Sequence, residues 1–195
     1  MFRTFRPAMT LFFAFTVLTG LIYPLVVTGL AQVAFPWRAN GSVIAVAGKP
    51  VGSILIGQAF SAPQYFWSRP SATSPQPYNG LASGGSNLGP TNPAELQAVQ
   101  QNIAALHAAD PGNTAPIPVD LVTASGSGLD PDISLAAAEY QRDRVARARH
   151  LSPQQVQALI NRIARKPWLG VFGEPRVNVL ALNLALDKLD VTHVD

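Results

Sequence analysis

The sequence contains no cysteine among its 195 residues. Disulfide scaffolds, thiolate zinc sites, iron–sulfur clusters and cysteine nucleophiles are therefore excluded. Charged residues are scarce as well, at 13% of the chain, about half the usual share in soluble globular proteins. Apolar residues make up 48%. A disordered chain needs high charge and low hydrophobicity, and a coiled coil needs charged heptads, so neither class fits.

The excess of positive charge is small. The chain has 14 Lys and Arg against 11 Asp and Glu, and two of the arginines, Arg3 and Arg6, precede the first apolar run. The rest of the chain is close to neutral and lacks the dense basic face that a phosphate backbone requires. Nucleic acid is therefore not an expected partner.

Sequence signatures of catalysis are missing too. The three histidines are scattered, and none forms an HExxH or i, i+4 pattern, so no metal site is expected. Gly48-Lys49 is followed by Pro50, where a P-loop needs Ser or Thr. No catalytic residue is assigned, and we do not expect the chain to hydrolyse ATP by itself.

An uncharged apolar run covers residues 11–33. As a helix it is long enough to cross a hydrocarbon core of about 30 Å, with a kink expected at Pro24. A cleaved signal peptide is the alternative, but its apolar region is only about 7–15 residues long. Because Arg3 and Arg6 precede the run, the positive-inside rule predicts a cytoplasmic N-terminus (residues 1–10), a transmembrane helix (11–33) and a periplasmic domain (34–195).

Small and weakly polar residues interrupt this run. Such residues favour close packing against another membrane helix over contact with bare lipid. The candidates for contact with partner helices are Thr16, Thr19, Gly20 and Gly29.

The remainder predicts a small mixed α+β domain, so the fold class is α+β with a single N-terminal transmembrane helix and an extracytoplasmic domain. Residues 61–91 lack helical periodicity but contain aromatics, which indicates an ordered loop. Asp120, Asp130 and Asp132 lie in turns and are expected to act as caps. Two short strands are expected within 42–56, a third strand at 117–124, and helices at 92–109, 134–150, 152–165 and 178–189.

One predicted helix is rich in arginine. Arg142, Arg144, Arg147 and Arg149 lie within eight positions, offset by Glu139 and Asp143. The simplest interpretation is a solvated helix face. The alternative is contact with an anionic partner surface or with lipid headgroups.

Five long blocks then suggest a family. In order along the chain, they resemble the C subunit of the bacterial Kdp potassium-transporting P-type ATPase. Asp132 departs from the family pattern, in which a histidine is expected. The blocks are Val51–Gln58, Tyr65–Ala72, Gly84–Pro93, Pro118–Pro131, and Gly173–Leu180 with Leu182–Asp187.

The resemblance implies a single-pass subunit of the bacterial inner membrane. Its implied partners are a potassium-channel-like subunit, a P-type ATPase subunit, a very small single-span subunit and membrane lipid. No cofactor is bound tightly: ATP and Mg²⁺ belong to the ATPase subunit, and potassium is the transported ion. The implied role is accessory, either in assembly and stability of the complex or as a catalytic chaperone that raises the ATP affinity of the ATPase subunit. From a periplasmic domain that effect would be indirect.

Two sets of candidate residues follow. Tyr65, Phe66 and Arg69 are expected to present a docking surface, with Arg69 suited to a partner carboxylate. If the chain touches nucleotide directly, backbone N–H groups of glycine-rich turns are the candidate phosphate cradles. Those turns are Gly84-Gly85-Ser86-Asn87 and Ser125-Gly126-Ser127-Gly128.

Two other functions stay open at this point. One is a stand-alone periplasmic binding domain or enzyme with a membrane anchor. The other is a nucleotide-binding subunit that faces the cytoplasm.

Overall fold

The computed structural model of the chain describes residues 2–191. It divides into two compact units, of which the first ends at Val51 and the second begins at Gly52. The regular structure consists of helices and two small two-stranded sheets, one formed within residues 43–53 and the other within residues 132–178. The α+β class and the long apolar helix near the N-terminus are therefore confirmed.

The first unit is dominated by one helical segment. Arg3–Ala34 is long and apolar enough to cross a membrane, and it is the one such helix among residues 2–191. A π-helical turn at Leu18–Ile22 ends two residues before Pro24, and the Tyr23 N–H donates to the Leu18 carbonyl. This wider turn lies where the proline cannot donate. The elements are α1 (Phe2–Val17), the π-helical turn, α2 (Tyr23–Ala34), α3 (Pro36–Ala39), β1 (Val43–Val46) and β2 (Lys49–Ser53), which runs across the boundary.

The second unit packs three helices beside a small sheet. Strands β3 and β4 pair antiparallel, with Ile133 opposite Val177. Both side chains point into a core to which α5, α6 and α7 contribute Val145, Ile160 and Leu186. The elements are α4 (Pro93–Ala109), a 3₁₀ turn (Val119–Leu121), β3 (Asp132–Ser134), α5 (Leu135–Ala148), α6 (Pro153–Ile163), β4 (Arg176–Asn178) and α7 (Val179–Val191).

Capping residues explain where the helices begin. The Asn92 side chain accepts a hydrogen bond from the Ala94 N–H at the start of α4. Ser134 caps α5 in the same way, and Ser152 forms a complete capping box with Gln155 before α6. The predicted hairpin around residues 48–50 and the helices predicted near 92–109, 134–150 and 152–165 are confirmed.

The predicted strand at 117–124 is wrong. A 3₁₀ turn occupies Val119–Leu121 instead. Pro118 has no N–H to give to a sheet, and the Asp120 carboxylate accepts hydrogen bonds from the backbone N–H (2.7 Å) and hydroxyl (3.1 Å) of Ser134. The segment is thus held by a side chain rather than by strand pairing.

Candidate docking site

An extended loop crosses the second unit without belonging to a helix or a strand. We call residues 62–69 the clamped loop, because side chains from α5 and α7 hold its backbone. The Phe66 N–H donates to Asn183 Oδ1 (2.8 Å), and Asn183 Nδ2 donates back to the Phe66 carbonyl (3.0 Å). Gln141 repeats this arrangement with the N–H (2.8 Å) and carbonyl (3.2 Å) of Trp67. Each side-chain amide therefore forms hydrogen bonds with both the N–H and the carbonyl of one loop residue, as a neighbouring strand does in a sheet.

These four hydrogen bonds are buried, so the loop backbone depends on them for its partners. Asn183 and Gln141 are each 1% exposed, so water cannot replace them. Asn183 lies between Leu182 and Leu186 on a helix that is otherwise apolar on this side. An amide among buried apolar neighbours is the sequence signal that could have identified it, because buried amides require partners.

Arg144 of α5 fixes the same loop from a second direction. Its guanidinium donates to the carbonyls of Pro63 (2.5 Å) and Tyr65 (3.1 Å), and lies 4.8 Å from the centre of the Trp67 ring. Burial lowers the pKa of Arg144 to about 10, which leaves it charged at neutral pH. A buried, charged arginine with carbonyl and aromatic partners is an internal brace of this loop.

The interpretation of the arginine-rich helix as a solvated face is wrong for Arg144 and Arg149. Arg144 is 4% exposed, and the Arg149 side chain is 3% exposed. Arg149 donates to the Gln64 carbonyl (2.7 Å), pairs with Asp187 (2.7 Å) and lies 4.8 Å from the Tyr65 ring centre. Charge spacing alone could not reveal this, because the loop that covers these arginines lies some eighty residues earlier in the sequence.

The three predicted docking residues lie in different environments. Phe66 is 0% exposed and fills the core, so its prediction as a surface residue is wrong. Tyr65 is half-buried over Arg149. Arg69 pairs with a carboxylate of its own chain, Asp130, at 3.3 Å. Contact of Tyr65 and Arg69 with a partner stays a prediction.

A cleft of about 720 Å³ opens beside Arg69. Three of its carboxylates are engaged within the chain: Asp120 binds Ser134, Asp130 pairs with Arg69, and Asp132 pairs with Arg176 at 2.9 Å. Asp130 and Asp120 also accept backbone N–H groups, as expected of capping residues. Within residues 2–191, no group of three or more His, Asp or Glu residues is placed to hold a metal ion.

Tyr78 ties the next stretch of loop back to the backbone of Arg69. Its hydroxyl donates to the Arg69 carbonyl, and burial raises the pKa of the phenol. The group is therefore a neutral donor at physiological pH, and it holds the backbone beside the Arg69–Asp130 pair.

The two glycine-rich turns meet in the structure. The Gly84 N–H donates to the Ser127 carbonyl (2.9 Å), and the Gly128 N–H donates to Ser125 Oγ (2.9 Å). Two of the backbone donors that a phosphate would need are thus already bonded inside the chain. Nucleotide contact at Gly84, Gly85, Ser86, Asn87, Ser125, Gly126, Ser127 and Gly128 stays a prediction, while packing of one turn against the other is observed.

Gly128 is expected to be essential to this packing. It has a φ of +67°, and a Cβ added there would lie 2.6 Å from the Gly84 carbonyl oxygen and 2.5 Å from Thr73 Cγ2. We expect Gly128→Ala to lower the free energy of unfolding by about 3 kcal/mol through backbone strain and overpacking. Urea unfolding of the full chain in detergent, followed by tryptophan fluorescence, measures the change.

Gly126→Ala is the matched control for this prediction. A Cβ at Gly126 meets no atom within 4 Å, and the residue lies in the same turn. The expected change is below about 1 kcal/mol, as for most surface substitutions. Equal destabilisation by the two variants would contradict the close packing of the turns.

The membrane-segment candidates satisfy their own polar groups. The hydroxyls of Thr16 and Thr19 donate to the carbonyls of Phe12 (2.8 Å) and Phe15 (2.7 Å) in the same helix. Gly20 and Gly29 have no atom within 4 Å of an added Cβ. Their small size therefore serves no packing among residues 2–191, and contact with partner helices stays a prediction.

Comparison of the sequence with known proteins identifies a family. A family model described as "KdpC: K+-transporting ATPase, c chain" matches residues 5–188. The chain is 62% identical to the "Potassium-transporting ATPase KdpC subunit" of Janthinobacterium sp. (strain Marseille), with 95% of this chain and 98% of the relative covered. It is 65% identical to the protein of the same name in Methylibium petroleiphilum, with 93% and 95% covered. The chain therefore belongs to the KdpC family, the c chains of the potassium-transporting ATPases.

Proposed function

We propose that the chain is a non-catalytic accessory subunit of a high-affinity, ATP-driven potassium uptake complex in the bacterial inner membrane. The observation that carries this proposal is the family match, which extends from the membrane segment into α7. The channel-like subunit, the P-type ATPase subunit and the small single-span subunit are its partners in this proposal. The helix Arg3–Ala34 anchors it beside them.

The orientation follows from the charge at the start of the anchor. Arg3 and Arg6 remain in the cytoplasm, and the second unit lies on the outer side of the membrane. From there the second unit cannot reach ATP that is bound in the cytoplasm. Any influence on the ATPase subunit is therefore exerted through contacts with the partner subunits.

The internal bonding of the second unit supports a docking role over a catalytic one. Three of its buried polar side chains, Gln141, Arg144 and Asn183, hold the clamped loop, and Arg69 pairs with Asp130. A loop that is held by internal bonds presents a preformed surface to a partner. Such a preformed surface lowers the entropic cost of binding. In this proposal the subunit stabilises the assembled complex by such a rigid contact.

A chaperone effect on ATP affinity obeys thermodynamic reciprocity. If the chain raises the affinity of the ATPase subunit for ATP, ATP raises the affinity of the complex for the chain by the same factor. Direct nucleotide binding by the isolated chain is not needed. Labelled full-length chain exchanging into the complex, with and without a non-hydrolysable ATP analogue, distinguishes this coupling from simple assembly.

The proposal is tested by assembling the complex with and without this chain. We expect its omission to abolish potassium-stimulated ATP hydrolysis at low potassium concentration and to reduce recovery of the intact complex from detergent. An alkaline phosphatase fusion at the C-terminus is expected to be active, because that reporter folds only outside the cytoplasm. Full transport by a stable complex without the chain would refute the accessory role, and an inactive but stable fusion would refute the orientation.

A further inference from the structure

A hairpin with an apolar tip projects between α6 and β4. Its stem is paired through Arg165 and Arg176, whose backbones exchange hydrogen bonds of 2.8 and 3.2 Å. A second pairing, between Trp168 and Phe172 (both bonds 2.9 Å), closes the tip. We call residues 165–176 the tip hairpin. Its backbone is therefore ordered by its own hydrogen bonds.

The tip exposes four large apolar side chains within five residues. Trp168 is 70% exposed, Leu169 72%, Val171 78% and Phe172 63%. The rings of Trp168 and Phe172 touch, with centres 5.7 Å apart. Elsewhere in the described part of the second unit, the exposed large apolar residues are single and scattered (Leu55, Leu81, Leu88, Leu96 and Val119). Scattered exposure is ordinary, but a cluster of this kind indicates a binding surface.

The turn at the tip keeps these side chains pointing away from the core at a conformational cost. Leu169 has a φ of +54°, and Gly170 follows at +74°. A bulky leucine rarely adopts the left-handed region. The chain therefore holds an apolar side chain in a strained backbone position where it buries little surface of its own molecule.

The charge at the base of the hairpin identifies the occupant. Arg162, Arg165 and Lys166 are exposed there, Glu174 is an exposed acidic residue nearby, and Asp132 is paired with Arg176. Exposed aromatic and aliphatic side chains next to basic residues match a membrane interface, in which aromatic rings lie at headgroup level and Lys or Arg bind phosphates. A protein interface of standard size buries about 800 Å² on each partner, which is more than a five-residue tip offers.

The same chain also carries a helix that is able to anchor it in a membrane. The apolar helix Arg3–Ala34 anchors the same chain, so a weak interfacial contact acts as an intramolecular one at high effective concentration. We propose that the tip hairpin inserts Trp168, Leu169, Val171 and Phe172 into an anionic lipid surface, with Arg162, Arg165 and Lys166 at the headgroup phosphates. This contact goes beyond the accessory role and does not depend on ATP or potassium.

The test uses the full-length chain in lipid nanodiscs. The fluorescence emission of Trp168 is obtained as the difference between the emission of the wild-type protein and that of Trp168→Phe. Both are measured in discs made of equal parts phosphatidylcholine and phosphatidylglycerol. Brominated acyl chains are expected to quench the Trp168 emission, and discs of phosphatidylcholine alone are expected to quench it much less. Equal quenching in the two kinds of disc would overturn the recognition of anionic headgroups, and no quenching in either would overturn insertion.

Two sets of variants sharpen the test. The double variant Arg165→Gln, Lys166→Gln is expected to lower the ratio of docked to free hairpin about 25-fold, because the loss of each charge lowers it about fivefold. Leu169→Asp should abolish the quenching, since Asp tolerates a positive φ and cannot enter the bilayer. Leu81→Asp, at an exposed leucine outside the hairpin, is the matched control and should change nothing.

A partner protein is the competing occupant, and the same label separates the two. If Trp168 becomes shielded from an aqueous quencher only in the assembled complex, and brominated lipid has no effect there, a protein covers the tip and the lipid proposal is wrong. Neither reading needs ATPase activity. Failure here therefore leaves the accessory function untouched, and failure of that function leaves this contact testable.

Discussion

Replacing Asn183 by leucine is expected to lower the free energy of unfolding by about 4 kcal/mol. The leucine side chain has the same number of heavy atoms and the same branch point, so most of the cost comes from the Phe66 N–H and carbonyl, which lose their partners at 2.8 and 3.0 Å in a buried place. Each buried polar group left without a partner costs about 1–3 kcal/mol. Urea unfolding of the full chain in detergent gives the value.

Asn161→Leu is the control for this prediction. Asn161 lies exposed on α6 and accepts a hydrogen bond from Gln157 only one turn away. Its replacement should change stability by less than about 0.5 kcal/mol. A loss of less than about 1 kcal/mol for Asn183→Leu would mean that water or a shifted loop satisfies Phe66, and that the amide does not clamp it.

The second large effect is expected for Arg144→Met. The substitution keeps the apolar stem but leaves the carbonyls of Pro63 and Tyr65 without their donor and removes the cation over Trp67. We expect a loss of about 3 kcal/mol, and a partial recovery in Arg144→Lys, which restores the charge without the planar fork. The folded fraction, and with it the yield of assembled complex, should fall in the same order.

Arg142→Met on the same helix provides the comparison. Arg142 pairs with the neighbouring Asp143 at 2.7 Å, and both side chains are substantially exposed. Solvent-exposed pairs contribute about 0–1 kcal/mol, so this variant should remain close to wild type. If Arg142→Met and Arg144→Met were equally destabilised, the loss would reflect the general chemistry of the helix and not the clamped loop.

Local signals predicted the helices well. Asn92, Ser134 and Ser152 mark helix starts, because a side-chain acceptor is needed wherever the first N–H groups of a helix lack partners. The membrane segment was equally clear from the absence of charge between residues 11 and 33. These features depend on neighbours in sequence, which is why the sequence was sufficient.

The short sheet could not be predicted in this way. Strands β3 and β4 have three residues each, with Ile133 and Val177 as their apolar residues. Three residues are too few to display the alternation that marks a strand. Their pairing brings together positions more than forty residues apart, so only the folded core identifies them.

The sequence does not reveal the burial of Phe66, for a related reason. An aromatic residue in a long polar loop looks like a contact for a partner, but the ring lies in the core with 0% exposure. Asn183 and Gln141 make this burial possible by satisfying the loop backbone. A loop can enter a core when side-chain amides from distant parts of the chain form hydrogen bonds with its backbone. The sequence of the loop does not show which residues supply those amides.

The reach of the clamp has a consequence for biosynthesis. Phe66 and Asn183 are separated by 117 positions, so the earlier segment leaves the ribosome long before its amide partner exists. Contacts of such high sequence separation slow folding, because a long loop must close before they form. A nascent chain that ends before α7 therefore lacks a completed core. Premature termination should yield a proteolytic substrate rather than a subunit that competes for a place in the pump.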